Sequence, residues 1–158
     1  MDLAIEHMEA ATDEVRQLIA ELDIALTGNY LPEQHHAVSL EQLFGGNVKF
    51  FVARSDGVAV GCGGVGFYDG FAEVKRMYTR PEVRGQRVGS ALLEAVTQLA
   101  RDRGVKTLLL ETGEGLGFEG AWRLYERSGF IRRGAFFDYP DSAYSRFYEK
   151  SLVAPAIA

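Results

Sequence analysis

Arg84-Gly85-Gln86-Arg87-Val88-Gly89-Ser90 brings together residue types that can do chemistry in one place. The stretch stands between an apparent strand, Glu73 to Thr79, and an apparent helix, Val88 to Arg103. A helix that opens directly after a turn of glycine and arginine leaves its first backbone N–H groups unpaired. It also points the positive end of its dipole at the turn, and the two together suit a phosphate. Arg84 and Arg87 add fixed positive charge beside it. The plainer reading is a glycine turn joining strand to helix, with both arginines solvated.

The helix that would position this turn is legible from spacing. Val88, Ala91, Leu92, Ala95, Val96, Leu99 and Ala100 recur on one helical face, and Glu94, Gln98, Arg101 and Asp102 fall elsewhere. Pro81 and Gly85 break the segment before it, and Gly104 follows where a left-handed cap belongs.

Around this core of the pattern the chain reads as one domain of 158 residues, 47% hydrophobic and 25% charged. A net charge of −5 argues against nucleic acid as a partner, which needs a clustered basic face. Cys62 is the single cysteine, so no intrachain disulfide forms. The first residues lack the pattern of a signal peptide, and no apolar run approaches the ~20 residues of a membrane span. The expectation is a cytoplasmic protein with no membrane partner.

Leu3 to Met8 reads as a strand. A helix follows, capped by Thr12 or Asp13, with Val15, Leu18, Ile19, Leu22 and Leu26 on one face. In the next loop His35 and His36 invite a metal reading. Adjacent side chains on a helix diverge, and no third ligand stands at a familiar spacing, so no metal is expected. Ser39 to Phe44 reads as a short helix. Val48 to Arg54, Val58 to Tyr68 and Phe71 to Thr79 form a meander with a hairpin turn at Ser55-Asp56-Gly57. Gly61-Cys62-Gly63-Gly64-Val65-Gly66 matches the dinucleotide-binding pattern letter for letter, but a turn and a strand follow it where a helix is required. A strand packed closely against other backbone is the better account. Lys106 to Glu111 is a buried parallel strand by its apolar run. Glu119 to Arg127 is helical, and Phe130 to Phe137 and Ser145 to Leu152 read as closing strands.

The order of elements and two motifs together resemble the GNAT superfamily, the Gcn5-related N-acetyltransferases. The resemblance covers nearly the whole chain and is strongest from Glu73 to Phe130. The family signature, Arg/Gln-x-x-Gly-x-Gly/Ala, is matched by Arg84 and Gly89. Arg87 stands where the middle Gly is usual and is expected to keep a helical conformation there. Ala121-Trp122-Arg123-Leu124-Tyr125-Glu126-Arg127-Ser128-Gly129-Phe130 matches the family's Ala-x-x-Leu-Tyr-x-x-x-Gly-Phe segment. Phe118 stands where many members carry an Asn or Gln that contacts the cofactor.

The resemblance implies an α+β fold in α/β/α layers, with a mixed sheet of about six to seven strands and about four helices. It would fill residues 1–153 as a single domain, with 154–158 a frayed tail. It implies acetyl-CoA as co-substrate. The backbone of Met77, Tyr78 and Thr79 would pair with the pantetheine arm like an added strand. Arg84 and the run Gly85, Gln86, Arg87, Val88, Gly89 and Ser90 would hold the pyrophosphate. Glu73, eleven residues before Arg84, matches the offset of the general-base glutamate in the superfamily's histone acetyltransferases.

Transfer to an amine needs a neutral amine, a stabilised oxyanion and a leaving thiolate. An alkyl ammonium has a pKa near ~10.4, so a base must take its proton. Glu73 is the first candidate and Glu111 the second; the alternative for Glu73 is a solvated residue beside Lys75. Tyr125 can donate to the departing sulfur, although its spacing alone fits a core aromatic. A backbone N–H near Met77 or Tyr78 can polarise the thioester carbonyl. Cys62 lies within a strand pattern, which favours direct attack in a ternary complex over a covalent acyl-enzyme. The expected acceptor is a small-molecule primary amine. A non-catalytic acyl-CoA sensor and a protein N-terminal or lysine acetyltransferase are the alternatives. By the resemblance, the loops Tyr30 to His36 and Asp138 to Tyr144 would wall the acceptor pocket, with Tyr30, His35, Tyr139 and Tyr144 as wall residues. A homodimer, common in the superfamily, is left open.

Overall fold

The computed structural model describes residues 2–27, 44, 46–115, 117–137, 139–140 and 144–153. Strand β1 (Leu3–Met8) and helix α1 (Asp13–Thr27) precede the meander β2 (Val48–Ser55), β3 (Val58–Tyr68) and β4 (Phe71–Thr79). A 3-10 turn at Pro81–Val83 leads to α2 (Val88–Asp102), and β5 (Thr107–Gly113), α3 (Glu119–Arg127), β6 (Ile131–Arg133) and β7 (Ser145–Ser151) follow. The seven strands form one sheet in the order β1-β2-β3-β4-β5-β7-β6. All neighbours are antiparallel except β4 and β5. No helix among the described residues is long and apolar enough to cross a membrane.

Alternation along the strands decides which helix covers which face. Phe50 and Val52 point to one side, where Val15, Leu18 and Ile19 of α1 pack on them and on Cys62. Phe51 and Ala53 point to the other, toward Val88 and Leu92 of α2. Leu93, Val96 and Ala100 of α2 continue that second layer over Val74, Leu108 and Leu110, where Tyr125 of α3 joins them. The Thr12 hydroxyl accepts from the Val15 N–H at 3.2 Å and caps α1. Gly104, at φ +75°, closes α2 in the left-handed conformation expected of it.

Among the described residues there are three α-helices. The expected helix from Ser39 to Phe44 and the tail 154–158 fall largely or wholly outside them. One expectation is corrected. The strand foreseen over Phe130 to Phe137 pairs with β7 only from Ile131 to Arg133. Beyond it Phe137 adopts φ +54°. Phe136 and Phe137 leave the sheet edge for an aromatic cluster with Tyr68, Phe71 and Phe147. Burying Phe136 and stacking Phe137 edge-on against Tyr68 and Phe71 outweighs two or three more edge pairs.

Candidate active site

The sheet splits at its centre. β4 and β5 pair at Ala72–Leu108, Glu73–Leu109 and Val74–Leu110, and there the parallel ladder ends. β5 goes on to pair with β7 as far as Gly113. β4 goes on with β3, through Cys62–Tyr78 and Gly61–Thr79. From Lys75 to Thr79 the backbone of β4 therefore has no strand on its β5 side among the described residues.

A bulge sharpens the split. Lys75 is opposite Gly64 and Tyr78 is opposite Cys62, so Gly63 alone faces Arg76 and Met77. Arg76 takes up the extra residue at φ +57°. The glycine run of β3 follows from this crowding. A Cβ on Gly63 would stand 2.3 Å from Met77 Sδ, and one on Gly61 would stand 2.8 Å from the Tyr78 carbonyl oxygen. The run that imitates a dinucleotide site is a strand that must lie close to a bulged neighbour.

The end of β4 leads to the start of α2. Val88, Gly89 and Ser90 have no carbonyl four residues back within the helix, and Arg87 makes no side-chain cap. No hydrogen bond to these three N–H groups forms among the described residues. Gly89 stands where a Cβ would come within 3.1 Å of Leu124 Cδ2 and 3.6 Å of Thr79 Oγ1, so α2, α3 and β4 meet there. Arg84 folds back and donates from Nε to the Thr79 carbonyl at 3.1 Å. Arg127 of α3 lies 3.5 Å from Ser90 Oγ. Arg87 departs from expectation: it is left-handed, at φ +67° and ψ +19°, not helical. This conformation explains why glycine is usual at the position.

α3 carries Tyr125 into the interior, 6% exposed, between the rings of Phe130 and Tyr148. Burial, with Tyr148 adding to it, pushes the Tyr125 hydroxyl well above the ordinary tyrosine range. It remains a proton donor throughout the neutral range. Trp122 fixes the helix by donating to the Gly113 carbonyl at 2.8 Å, and the Arg146 guanidinium lies on its ring. Phe118 occupies the space over Gly113, where any Cβ would meet its ring at 2.3 Å.

Glu73 is 2% exposed, which removes the reading of a solvated residue at a strand start. Tyr139 donates to its Oε2 at 2.8 Å. Lys75 Nζ lies 3.0 Å from its Oε1 as a charge partner. Burial works against the Lys75 ammonium, but Glu73 and Tyr68 outweigh it and hold Lys75 above the ordinary lysine range. Burial and then the charge of Glu73 push Tyr139 well above that of tyrosine. Glu111 accepts from Ser145 Oγ at 2.7 Å.

The structure thus brings Met77, Tyr78 and Thr79 to the open edge and leads that edge to the Gly85–Ser90 turn. It sets Glu73 and Tyr139 together on the face of β4 opposite Val74 and the α2 layer. Tyr144 is half exposed at the foot of β7. Tyr30, His35 and His36 lie outside the described residues. Cys62 is fully buried, and burial raises its thiol to about 12. Sequence reasoning missed Arg76 and Arg80. Arg80 donates from Nε and Nη2 to Glu21 of α1, both at 3.0 Å, and from Nη1 to the Ala59 carbonyl at 2.8 Å. Glu21 also accepts from the Tyr78 hydroxyl at 3.1 Å, so the end of β4 is clamped to α1. The crowding of glycines on β3 was the one signal of the bulge that turns Arg76 toward α1.

Comparison with known proteins agrees with this geometry. The Acetyltransferase (GNAT) family model matches residues 13–130. An IAA acetyltransferase of Azospirillum brasilense is 42% identical over 142 residues, covering 89% of this chain and 92% of its own length. A Klebsiella pneumoniae protein assigned to the acyl-CoA N-acyltransferases superposes with a TM-score of 0.79 at 35% identity, over 96% of this chain and 98% of its own. A PaiA N-acetyltransferase of Thermoplasma acidophilum, solved with coenzyme A, shares the fold at a TM-score of 0.71 and 18% identity, over 94% of this chain and 99% of its own.

Proposed function

The chain belongs to the GNAT family of N-acetyltransferases, and from that membership we propose that it moves an acetyl group from acetyl-CoA to a primary amine of a small molecule. Attack is direct, in a ternary complex. The observation that carries this reading is the open edge of β4 running into the uncapped start of α2. Both ends offer unpaired backbone N–H groups to one extended, phosphate-bearing ligand.

On this reading Met77, Tyr78 and Thr79 bind the pantetheine arm through their backbone. Gly85 to Ser90 receive the pyrophosphate, with Arg84 and Arg87 beside it. Bound acetyl-CoA supplies an activated thioester carbonyl. An N–H of Met77 or Tyr78 stabilises the charge that develops on its oxygen. Glu73 takes a proton from the amine, directly or through one water, and Tyr125 donates to the sulfur as it leaves. Glu111 is the alternative base, though its hydrogen bond from Ser145 ties it to β7.

Titration calorimetry with acetyl-CoA, with NADH as control, tests the cleft. Release of CoA in the presence of an amine panel, with IAA as a separate candidate acceptor, then tests turnover. Binding of acetyl-CoA and not NADH, followed by amine-dependent release, is the expected result. Failure to bind acetyl-CoA sinks the proposal. Binding without any turnover, indifferent to Tyr125→Phe, marks a sensor. Turnover of peptides but no small amine marks a protein acetyltransferase.

A further inference from the structure

Arg76 is built into this site in a way that the transfer chemistry does not use. It is the residue that the bulge forces into the left-handed region, at φ +57°. A non-glycine residue in that region is strained, and such strain is kept where the surroundings over-determine it. Its side chain is 6% exposed. Nη2 donates to Asp23 of α1 at 2.7 Å. Nε is buried and has no hydrogen-bond partner among the described residues. A buried guanidinium N–H without an acceptor is unfavourable, and it is a donor placed for an anion.

The neighbours sharpen this. The bulge sends Arg76 toward α1, the layer to which Tyr78 also reaches, and Lys75 is directed to Glu73. Arg80 has its fork filled by Glu21 and the Ala59 carbonyl. Arg76, between them in the chain, keeps an unused donor. Among the described residues the other buried side-chain atom without a hydrogen bond is Glu73 Oε1, three residues away and 3.0 Å from the Lys75 ammonium. An acceptor already drawn to the Lys75 ammonium and an unused donor, on the same strand, match a molecule that carries both an ammonium and a carboxylate.

We infer that Arg76 anchors the acceptor, and that the acceptor is an amine bearing a carboxylate, held by the carboxylate at Arg76 Nε with its amine at Glu73. This rests on the acetyltransferase reading of the same cleft. Asp23 holds the guanidinium from one side and fixes the direction of the remaining donor. The planar fork is what lysine cannot reproduce.

The test uses matched amines: phenylalanine, phenylalaninamide and 2-phenylethylamine; lysine, lysinamide and 1,5-diaminopentane; β-alanine, β-alaninamide and ethylamine. Binding to the CoA-loaded protein is read by calorimetry, and turnover by CoA release. In at least one set the carboxylate-bearing member should bind roughly 10- to 100-fold more tightly than its two partners. Arg76→Met and Arg76→Lys should both abolish that preference, with the acetyl-CoA affinity of each variant showing that the cleft is intact. Should the variants not fold, the wild-type comparison decides alone. Equal or weaker binding of the carboxylate members, or no binding in any set, overturns the inference, and so does a preference that survives in Arg76→Met. A carboxylate preference without turnover of any amine overturns the transferase reading instead and leaves the anchor standing. Turnover without the preference does the reverse.

Discussion

The Tyr139 hydroxyl donates to Glu73 Oε2 at 2.8 Å, joining residues 66 positions apart. It closes one oxygen of a buried carboxyl and leaves the other beside Lys75. The group is therefore held in one orientation before any acceptor arrives.

Glu73→Gln should lower kcat by roughly 10²- to 10⁴-fold, the usual range for a lost general base, with acetyl-CoA affinity unchanged. Tyr139→Phe should lower kcat by roughly 10- to 100-fold by letting the carboxyl turn. Lys75→Met leaves Glu73 buried without its counter-charge and should cost about 3–5 kcal/mol. The double variant Glu73→Gln, Lys75→Met should recover most of that stability and none of the rate. Denaturant unfolding beside steady-state kinetics separates the two effects. A Glu73→Gln enzyme of normal kcat would move the base to Glu111 or to water.

Two hydroxyls give the protein an alkaline limit. Burial holds Tyr125 and Tyr139 above the tyrosine value in the folded state, whereas unfolded tyrosines ionise near ~10. The folded state binds these protons more tightly. The stability is thus present in full below about pH 10 and falls as pH rises from there toward the folded values. Thermal melting between pH 8 and 11.5 should show this fall, and it should be shallower in Tyr125→Phe, Tyr139→Phe. An equally steep fall in the double variant would assign it to other groups.

Arg87 is left-handed at the start of α2. Arg87→Gly removes about 1–2 kcal/mol of backbone strain and loses about 0.4–1 kcal/mol through the freer unfolded chain. It should therefore unfold at the same or a slightly higher temperature, whereas Arg87→Ala keeps the strain and gains nothing. Both should weaken acetyl-CoA about 5- to 10-fold by removing a charge beside the phosphates, which corresponds to about 1–1.4 kcal/mol. If neither variant weakens binding, the backbone N–H groups alone hold the anion.

Gly61 and Gly63 differ in what a methyl group would meet. At Gly61 it is the Tyr78 carbonyl, which cannot move without shifting β4; at Gly63 it is the flexible Met77 side chain. Gly61→Ala should cost about 1–3 kcal/mol and reduce acetyl-CoA affinity as well. Gly63→Ala should cost less, and Met77→Ala should offset part of it. Calorimetry on folded samples of the three variants would expose an error in this order.

Much of the fold was legible because its signals are local. Spacing placed α2 and its closing glycine, and the run from Ala121 to Phe130 placed Tyr125 on a helix. The turn that opens α2 was legible for the same reason: glycines, arginines and a helix start lie within one short stretch. The surroundings of Glu73 were not. Its burial depends on Tyr139, which reaches it only after the chain has abandoned β6, and no local pattern foretells that departure. The left-handed Arg76 and Arg87 were hidden because arginine carries no preference for the conformation, which neighbouring backbone imposes on it. Phe118 stands where the resemblance has a cofactor contact, and its ring fills the space over Gly113 at the end of β5, which no local pattern foretells.

Only three residue pairs join β4 to β5 at the centre of the sheet, no more than join β6 to β7 at its edge. Three antiparallel pairings keep β1 to β4 together and two keep β5 to β7 together, so within the sheet this short parallel ladder is what ties the two sets of strands beside the open edge of β4. A guest that pairs with Met77, Tyr78 and Thr79 also sutures the halves. At a concentration of a hundred times Kd it adds about 2.7 kcal/mol to stability by mass action alone. Amide exchange at Met77 to Thr79 and at Glu111 to Gly113 should then slow together on adding acetyl-CoA, and exchange that slows at β4 alone would mean the halves do not close as one.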